Sequence, residues 1–398
     1  MLKRLKLIFL FLPFCLSGQQ LGFALEQINA QAILKENLTG KGIKIGVIDG
    51  GFLRADQKES LKHLFENNLI AGYKDYLDST ALPYSGKKAW DDGHGTEVWE
   101  LIAGYHPEKD VQYGLASAAT YYLARTDHGG YERREEEENA IDAMEWMAKQ
   151  GVRIINLSLG YNFGYTDKSE NYKPKQMDGK STILTQAINR FSNEYDILFV
   201  VAAGNDGDKK WRIIDSPADA ERALTVGATK FKTWDNMTYS SQGPDWLSYV
   251  KPEVSCYASS GTSFSTPVIT GLAACLLEKK PSLTSAELKQ IIIQSASLKS
   301  PNNYTGYGVP DSEKALKLVS GETISPDLNE KISTKNYYKL ILESRVPYVS
   351  AYHKKGWEVL EKETLRTNKL DYKIKRKAGA TSTTLIWEDG QMEILWAE

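Results

Sequence analysis

The chain has 398 residues, and its 49 basic and 51 acidic residues give a formal net charge of −2 at pH 7. This length suffices for one large α/β domain and a smaller second domain. Without a basic surplus or an acidic tail, the composition argues against a nucleic-acid-binding protein.

The N-terminal segment 1–24, MLKRLKLIFLFLPFCLSGQQLGFA, has the layout of a secretory signal peptide. Basic residues precede the apolar run 7–16, and small and polar residues follow it. The run is too short to span a bilayer, and no later segment is apolar enough to do so. We therefore expect cleavage after Gly18 or Ala24 and an extracytoplasmic protein, secreted or periplasmic.

The cysteines support no metal site or disulfide framework. Cys15 follows Pro13 and Phe14 rather than the small residues of a lipidation motif, so a lipid anchor is not expected. Removal of the signal peptide leaves Cys256 and Cys275, which are too few for a framework. Cys275 lies in an apolar helical run, which predicts a buried thiol, and no Cys/His cluster has zinc spacing.

Between residues 40 and 300, short β-rich runs alternate with helical patterns. Several runs are continuously apolar, which is typical of strands covered on both faces. Such alternation predicts an α/β fold with a doubly wound, mostly parallel sheet and helices on both faces. Functional residues gather at the carboxyl ends of the strands in such sheets. The β-rich runs are 44–49, 119–126, 152–160, 196–204 and 223–229.

The helical patterns cover 132–151 and 181–196, and a further helix opens with Thr284 and Glu287 at capping-box spacing. The acidic run 135–138 predicts a solvated first helical turn. The polar, aperiodic stretch 161–181, which follows the β-rich run 152–160, predicts an inserted surface loop.

After residue 320 the character of the chain changes. We interpret 25–320 as the main domain, 321–335 as a linker, and 336–398 as a small C-terminal β domain of roughly five strands. Asp389-Gly390 between two strand-like runs predicts a hairpin.

Asp49, His94, Asn205 and Ser263 lie where strands of the main domain end or helices begin. Taken singly, three of them have an ordinary explanation: Asp49 as a turn residue, His94 as a loop residue and Ser263 as a helix cap. Their joint occurrence in glycine-bounded loops of one α/β pattern indicates a catalytic site instead.

The motifs VIDGG, GHGTEV, NLSLG, AAGND and GTSFSTP occur in this order, and the region of about 40–300 resembles the subtilisin-like serine proteases (subtilases, peptidase S8 family). The order Asp, His, Ser is that of subtilisin. The resemblance implies that Asp49 orients the imidazole, that His94 is the general base and acid, and that Ser263 is the nucleophile. It thus implies an exported serine endopeptidase that acts on proteins or peptides through an acyl-enzyme.

The resemblance also assigns supporting roles. Asn205 and the backbone N–H of Ser263 would form the oxyanion hole. Ser158, Leu159 and Gly160 would bind the substrate as an added β-strand. The pocket walls would include residues 158–160 and 202–205, whose mostly small side chains suggest a roomy, permissive pocket for the side chain that precedes the scissile bond.

Three features depart from the family pattern. Gly50 replaces a hydroxyl residue after the aspartate, and Glu97 replaces a second histidine after the HGT block. Too few residues separate the signal peptide from the first strand for a folded pro-domain, so we expect unaided folding or a separate chaperone or inhibitor chain.

No cofactor is expected. Subtilases often bind calcium, but the loop that carries Asp206, Asp208 and Asp215 has no recognisable calcium spacing, so no metal is predicted.

Two other functions remain open at this point. The stretch GTSFS superficially resembles the nucleophile elbow of an α/β-hydrolase esterase, which would recruit Asp311 and His353 after the serine. Alternatively, the chain is a catalytically silent binding protein with the subtilase fold.

Overall fold

The computed structural model describes residues 20–85, 92–128, 132–323, 330–366, 369–387 and 390–397. Residues 1–19 of the expected signal peptide, Asp389 of the expected hairpin and part of the expected linker lie outside these ranges. Within these ranges the helices are α1 (Phe23–Gln27), α2 (Gln31–Lys35), α3 (Lys62–Glu66), α4 (His94–Ala103), α5 (Arg134–Lys149), α6 (Ile183–Tyr195), α7 (Thr266–Lys279), α8 (Ser285–Ser295) and α9 (Ser312–Val319).

The strands of the main domain are β1 (Gln20–Leu21), β2 (Lys44–Asp49), β3 (Ile70–Asp75), β4 (Tyr105–His106), β5 (Val111–Gln112), β6 (Thr120–Arg125), β7 (Ile154–Leu157), β8 (Leu198–Ala202), β9 (Leu224–Thr229) and β10 (Val254–Tyr257). Those that follow are β11 (Glu330–Ser333), β12 (Tyr337–Ile341), β13 (Val349–Lys355), β14 (Glu358–Leu365), β15 (Asp371–Lys375), β16 (Ser382–Trp387) and β17 (Gly390–Trp396). Among the described residues, no helix combines the length and the apolarity needed to cross a bilayer.

Seven strands form the central sheet in the order β10-β9-β8-β7-β2-β6-β3, and neighbouring strands are parallel. Alternate residues of a strand point to opposite faces. Accordingly, Val47 of β2 lies in the core that contains the buried side of α7, whereas Ile48 lies in the core formed with α5 and α6. This doubly wound arrangement confirms the predicted fold class.

Two strands of this sheet were not predicted. Strand β3 lies at the edge of the sheet, where none of its residues is fully buried, so it lacks a continuous apolar run. Strand β10 at the other edge has only 4 residues. Both are difficult to recognise from periodicity alone, because that signal needs a longer or more apolar segment.

The acidic run at the start of α5 forms the predicted solvated turn only in part, because Glu135 and Glu138 are exposed but the two glutamates between them are not. Glu136 and Glu137 are both fully buried. Glu137 accepts hydrogen bonds from the hydroxyls of Tyr165 and Tyr172, which belong to the insertion between β7 and α6. The buried carboxylate thus anchors an insertion that the sequence placed on the surface, because a buried charge requires hydrogen-bond donors.

The β-rich character of the C-terminal region is confirmed, but it has seven strands rather than about five, and β11 extends its sheet into the segment that the sequence assigned to the linker. Its five-stranded sheet has the order β11-β17-β16-β13-β14, and β12 and β15 form a separate antiparallel pair. Strands β16 and β17 are antiparallel and pair as far as Trp387 and Gly390, in agreement with the predicted hairpin. This domain contacts the main domain through Asp235, whose Oδ1 accepts from the hydroxyl of Tyr352 at 2.6 Å and pairs with Lys362 at 2.9 Å.

Candidate active site

The fold brings the four residues of the predicted constellation to the carboxyl edge of the central sheet. Asp49 is the last residue of β2, and His94 is the first residue of α4. Asn205 follows β8, and Ser263 lies in a single 3₁₀ turn directly before α7. Residues that are far apart in the sequence therefore meet at the edge where a parallel sheet places its functional loops.

The carboxylate of Asp49 is fully buried and contacts the imidazole of His94. Oδ1 of Asp49 lies 2.7 Å from Nδ1 of His94 and accepts a hydrogen bond from the backbone N–H of Gly50 at 2.8 Å. Oδ2 has no hydrogen-bond partner among the described residues. A carboxylate at this position orients the imidazole and stabilises its protonated form.

Gly95 permits this close approach of α4 to β2. A Cβ atom on Gly95 would lie 2.6 Å from the carbonyl oxygen of Gly51 and 2.9 Å from Cβ of Asp49. Any larger residue would push the helix that carries His94 away from the strand that carries Asp49. The glycine after the histidine is thus a packing requirement.

Ser263 and Ser158 are joined by two reciprocal hydrogen bonds. The hydroxyl of Ser263 donates to the carbonyl oxygen of Ser158 at 3.2 Å, and the hydroxyl of Ser158 donates to the carbonyl oxygen of Ser263 at 3.1 Å. Behind them, Nδ2 of Asn156 donates to the hydroxyl of Ser158 at 3.0 Å, and the hydroxyl of Thr270 donates to Oδ1 of Asn156 at 2.8 Å. This chain of hydrogen bonds links β7 to α7 and fixes the turn that carries Ser263.

The side-chain amide of Asn205 is held in a defined orientation. Its Oδ1 accepts from the backbone N–H of Thr262 at 2.8 Å, and the hydroxyl of Thr262 accepts from the backbone N–H of Gly204 at 3.0 Å. Gly261 adopts φ +135°, which favours glycine, and so lets the chain turn toward Ser263. Because Oδ1 is engaged with Thr262, Nδ2 is the group that Asn205 can offer to a ligand.

Ser263 and His94 line one cleft of about 450 Å³. Among the described residues, the charged side chains that line it beside His94 are acidic: Glu97, Asp127 and Glu132. Glu97, at the position where the family pattern has a histidine, therefore contributes a carboxylate to the cleft. The remaining lining residues are Gly50, Gly93, Ser158, Leu159, Gly160, Asn205, Ser260 and Phe264.

The small-residue walls that suggested a roomy pocket are backed by the carboxyl group of Asp215. A Cβ atom on Gly160 would lie 3.1 Å from Cβ of Asp215, and one on Gly204 would lie 2.2 Å from Oδ2 of Asp215. Burial, together with the nearby charge of Asp206, raises the pKa of Asp215 to about 8. Because Gly160 and Gly204 have no side chains, the side chain of Asp215 can pack against their backbones and fill part of the space there.

The arrangement around Asp206 and Asp215 does not suit a cation. Nδ2 of Asn162 donates to both carboxyl groups, at 2.6 Å and 2.7 Å, so a hydrogen-bond donor lies where a metal would need a ligand. Asp208 is exposed. The side-chain oxygens of three other acids lie within 4.8 Å of one another beside the cleft, but two of these acids already accept hydrogen bonds from protein groups, and we assign no metal to them: Asp127, Glu132 and Glu136.

Three residues that hold the site together were not singled out from the sequence: Asn156, Thr262 and Thr270. Asn156 had a detectable signal, because it is a fully buried polar residue inside an otherwise apolar strand. The two threonines had none, since threonine is common near helix starts.

The esterase alternative is wrong. His353 is fully buried in the C-terminal sheet, where its ring nitrogens lie 2.9 Å from the hydroxyl of Thr383 and 3.1 Å from Glu363. Asp311 caps α9 by accepting from the backbone N–H of Lys314 at 2.8 Å. Neither residue lines the cleft of Ser263.

Known proteins resemble this chain over most of its length. Residues 40–308 match the model of the subtilase family, and the match covers more than half of the chain. The chain belongs to the subtilase family. It is a serine-type endopeptidase, a hydrolase that acts on protein substrates.

Subtilisin BL from Lederbergia lenta is 27% identical over 309 residues, which cover 75% of this chain and 100% of that relative. Minor extracellular protease Epr from Bacillus subtilis is 28% identical over 276 residues, which cover 67% of this chain and 37% of Epr. The structure of the Clostridium perfringens CspB protease has a TM-score of 0.62 at 15% identity and covers 75% of this chain and 99% of that chain. This structural likeness shows the fold alone.

Proposed function

We propose that Asp49, His94 and Ser263 are the catalytic triad of this endopeptidase. The observation that carries the proposal is the 2.7 Å contact between the buried carboxylate and the imidazole, beside the cleft that Ser263 lines. His94 takes the proton of the Ser263 hydroxyl as its oxygen attacks the scissile carbonyl, and gives this proton to the leaving amine. Water then hydrolyses the acyl-enzyme by the same proton transfers in reverse.

The hydroxyl of Ser263 must turn before it reacts. It donates to the carbonyl oxygen of Ser158, so it has to leave this acceptor and donate to the imidazole of His94. Catalytic hydrogen bonds often become aligned only when substrate is bound. A substrate strand that binds beside Ser158 is suited to trigger this change.

The tetrahedral intermediate carries a negative oxygen, which the proposal assigns to two donors. Nδ2 of Asn205 is one, and its orientation is supported by the hydrogen bond from Thr262 to Oδ1. The backbone N–H of Ser263, close to the start of α7, is the other. Ser158, Leu159 and Gly160 would pair with the acyl side of an extended peptide, and all three line the cleft.

We further propose that the protein is exported and that the signal peptide is cleaved after Gly18 rather than after Ala24. Gln20 and Leu21 pair with β5, and Phe23 and Ala24 begin α1. Cleavage after Gly18 keeps these contacts, whereas cleavage after Ala24 removes them. N-terminal sequencing of the exported protein tests this assignment.

The proposed reaction needs no cofactor, and its substrates are proteins or peptides. A separate chaperone or inhibitor chain is also compatible with it. We would test the triad by labelling the purified protein with a fluorophosphonate and mapping the modified peptide by mass spectrometry. One adduct on Ser263 is expected, and it should be absent from Ser263→Ala but present in Ser169→Ala, which alters an exposed serine.

An active-site label that is absent from folded wild-type protein would instead favour the catalytically silent binding protein. Circular dichroism of the same samples establishes whether the protein is folded. His94→Asn should also abolish labelling, because Ser263 would lose its base.

A further inference from the structure

A second cavity, of about 520 Å³, adjoins the catalytic cleft. Glu97, Ser260 and Phe264 line both cavities. Phe264 directly follows Ser263, and its ring centroid lies 5.5 Å from that of His94. We call this second cavity the N-terminal groove, because residues 20–25 form one of its walls.

The wall of the N-terminal groove is firmly attached to the main domain. The backbone N–H of Gln20 donates to Asp110 at 3.0 Å, and that of Gly22 donates to Gln112 at 2.9 Å. The buried side chain of Gln27 then fixes α1: its Oε1 accepts from the backbone N–H of Tyr257 at 2.7 Å. Its Nε2 donates to the carbonyl oxygens of two residues after β9 at 2.9 Å and 3.0 Å. The wall is therefore built into the loop that leads to Ser263.

The lining of the N-terminal groove contains apolar side chains and a few charged ones. The ring of Phe23 is 58% exposed, although it contacts Phe231 at 4.9 Å and Tyr257 at 6.0 Å between ring centroids. An exposed aromatic ring at the mouth of a cavity is a favourable contact for an apolar side chain. Acidic and basic groups lie elsewhere on the lining, at Glu97, Glu100 and Lys58, and Lys58 pairs with Glu100 at 3.1 Å.

The direction of a bound peptide follows from the residues that the two cavities share. Ser158, Gly160 and Asn205 line the catalytic cleft but not the groove. An extended peptide whose acyl side lies along 158–160 and whose scissile carbonyl faces Ser263 must continue past Phe264. It then enters the N-terminal groove with the residues that follow the scissile bond.

We propose that the N-terminal groove binds the leaving-group side of the substrate, and that Phe23 selects an apolar or aromatic side chain there. This proposal rests on the triad and on the cleavage after Gly18 assigned above. Acidic side chains at the same positions are disfavoured by Glu97. Residues 20–25 therefore determine specificity in addition to starting the fold.

The test compares two substrates with the same acyl segment. One is an internally quenched peptide that continues for three residues beyond the scissile bond, and the other ends in an aminomethylcoumarin amide. Phe23→Ser should lower kcat/KM for the continuing peptide by about tenfold and leave that for the coumarin amide unchanged, because only the former reaches the groove. Leu82→Ser, which alters a side chain that is 75% exposed, is the matched control and should change neither.

An equal loss for both substrates, or no loss for either, would overturn the proposal while leaving the triad intact. A folded wild-type protein that cleaves neither substrate and takes no fluorophosphonate label on Ser263 would instead overturn the triad. A second measurement needs no variant: among continuing peptides, the wild-type protein should prefer Phe or Leu over Asp after the scissile bond. A preference for Asp, or none, would contradict the assignment even if Phe23→Ser did not fold.

Discussion

Ser158 and Ser263 each donate a side-chain hydrogen bond to the other's backbone carbonyl oxygen, at 3.1 Å and 3.2 Å. This reciprocal pair joins the end of β7, where substrate is proposed to bind, to the turn that carries the proposed nucleophile. These two hydrogen bonds therefore couple the binding of substrate beside Ser158 to the position of Ser263.

Ser158→Ala removes the hydrogen bond that holds the carbonyl of Ser263 and leaves the amide of Asn156 without its acceptor. One such hydrogen bond contributes about 0.5–1.5 kcal/mol, so kcat should fall by up to about tenfold. The rate of fluorophosphonate labelling should fall in parallel, because the label reports on Ser263 directly. Ser158→Thr keeps the hydroxyl and should retain more activity; an identical loss in both variants would contradict a positioning role.

Asp49→Asn keeps the size of the side chain but removes the charge beside His94. The amide disfavours the imidazolium that forms during attack, so kcat should fall by a factor on the order of 10⁴. Steady-state kinetics on a peptide substrate would measure this loss. Asp56→Asn, a change at an exposed aspartate, provides the control; a loss below about tenfold at Asp49 would argue against the triad.

Asn205→Ala removes the proposed oxyanion donor and should lower kcat by about 10²–10³-fold with little change in KM. This range is the one measured for such a donor in subtilisin, another member of the subtilase family. Asn205→Asp separates the two roles of the residue: it keeps an acceptor for Thr262 but has no donor. Activity of Asn205→Asp close to wild type would show that the residue only holds the loop.

Asp215 predicts a pH-dependent contribution to stability. Burial and the charge of Asp206 raise its pKa from 3.8 to about 8, so between these values the folded protein binds a proton that the unfolded chain has released. The stability that this group contributes is fully present below pH 4 and is lost as the pH rises toward 8. Asp215→Asn should therefore flatten the dependence of the free energy of unfolding on pH.

Urea denaturation at a series of pH values from 4 to 9 measures this effect. At pH 8 and above, Asp215→Asn should be at least about 1 kcal/mol more stable than the wild-type protein, because asparagine has no proton to lose. Asp208→Asn, at an exposed neighbouring position, should leave the pH dependence unaltered. Parallel curves for wild type and Asp215→Asn would show that Asp215 is ionised in the folded protein.

Asp235 is a buried charged contact between the two domains. Burial opposes its charge, but Lys362 and the hydroxyl of Tyr352, with Lys230, hold the pKa of this carboxyl below its ordinary value. Asp235→Ala removes the carboxylate that pairs with Lys230 and Lys362 and accepts from Tyr352, so unfolding should require about 3 kcal/mol less. Calorimetry measures the loss, and Asp245→Ala, an exposed change in the main domain, is the control.

Five of the seven strands of the central sheet, the gathering of the four candidate residues at its carboxyl edge and a C-terminal β region could be predicted from the sequence. Central strands such as β2 and β8 are long apolar runs, and Asp49, His94 and Ser263 lie in short glycine-bounded motifs near the ends of strands or the starts of helices. Both signals can be recognised within a few consecutive residues. A strand that is buried on both faces requires a run of apolar residues, and a tight turn requires glycine or another turn-forming residue.

Contacts between distant segments became visible only in the folded chain. Glu137 is buried because Tyr165 and Tyr172 of a later insertion cover it, and Asp215 backs Gly160 and Gly204 from another loop. The N-terminal groove likewise exists only where residues 20–25 pack beside the serine loop. No periodicity within one segment encodes such pairings, since they arise when chain topology places remote side chains together.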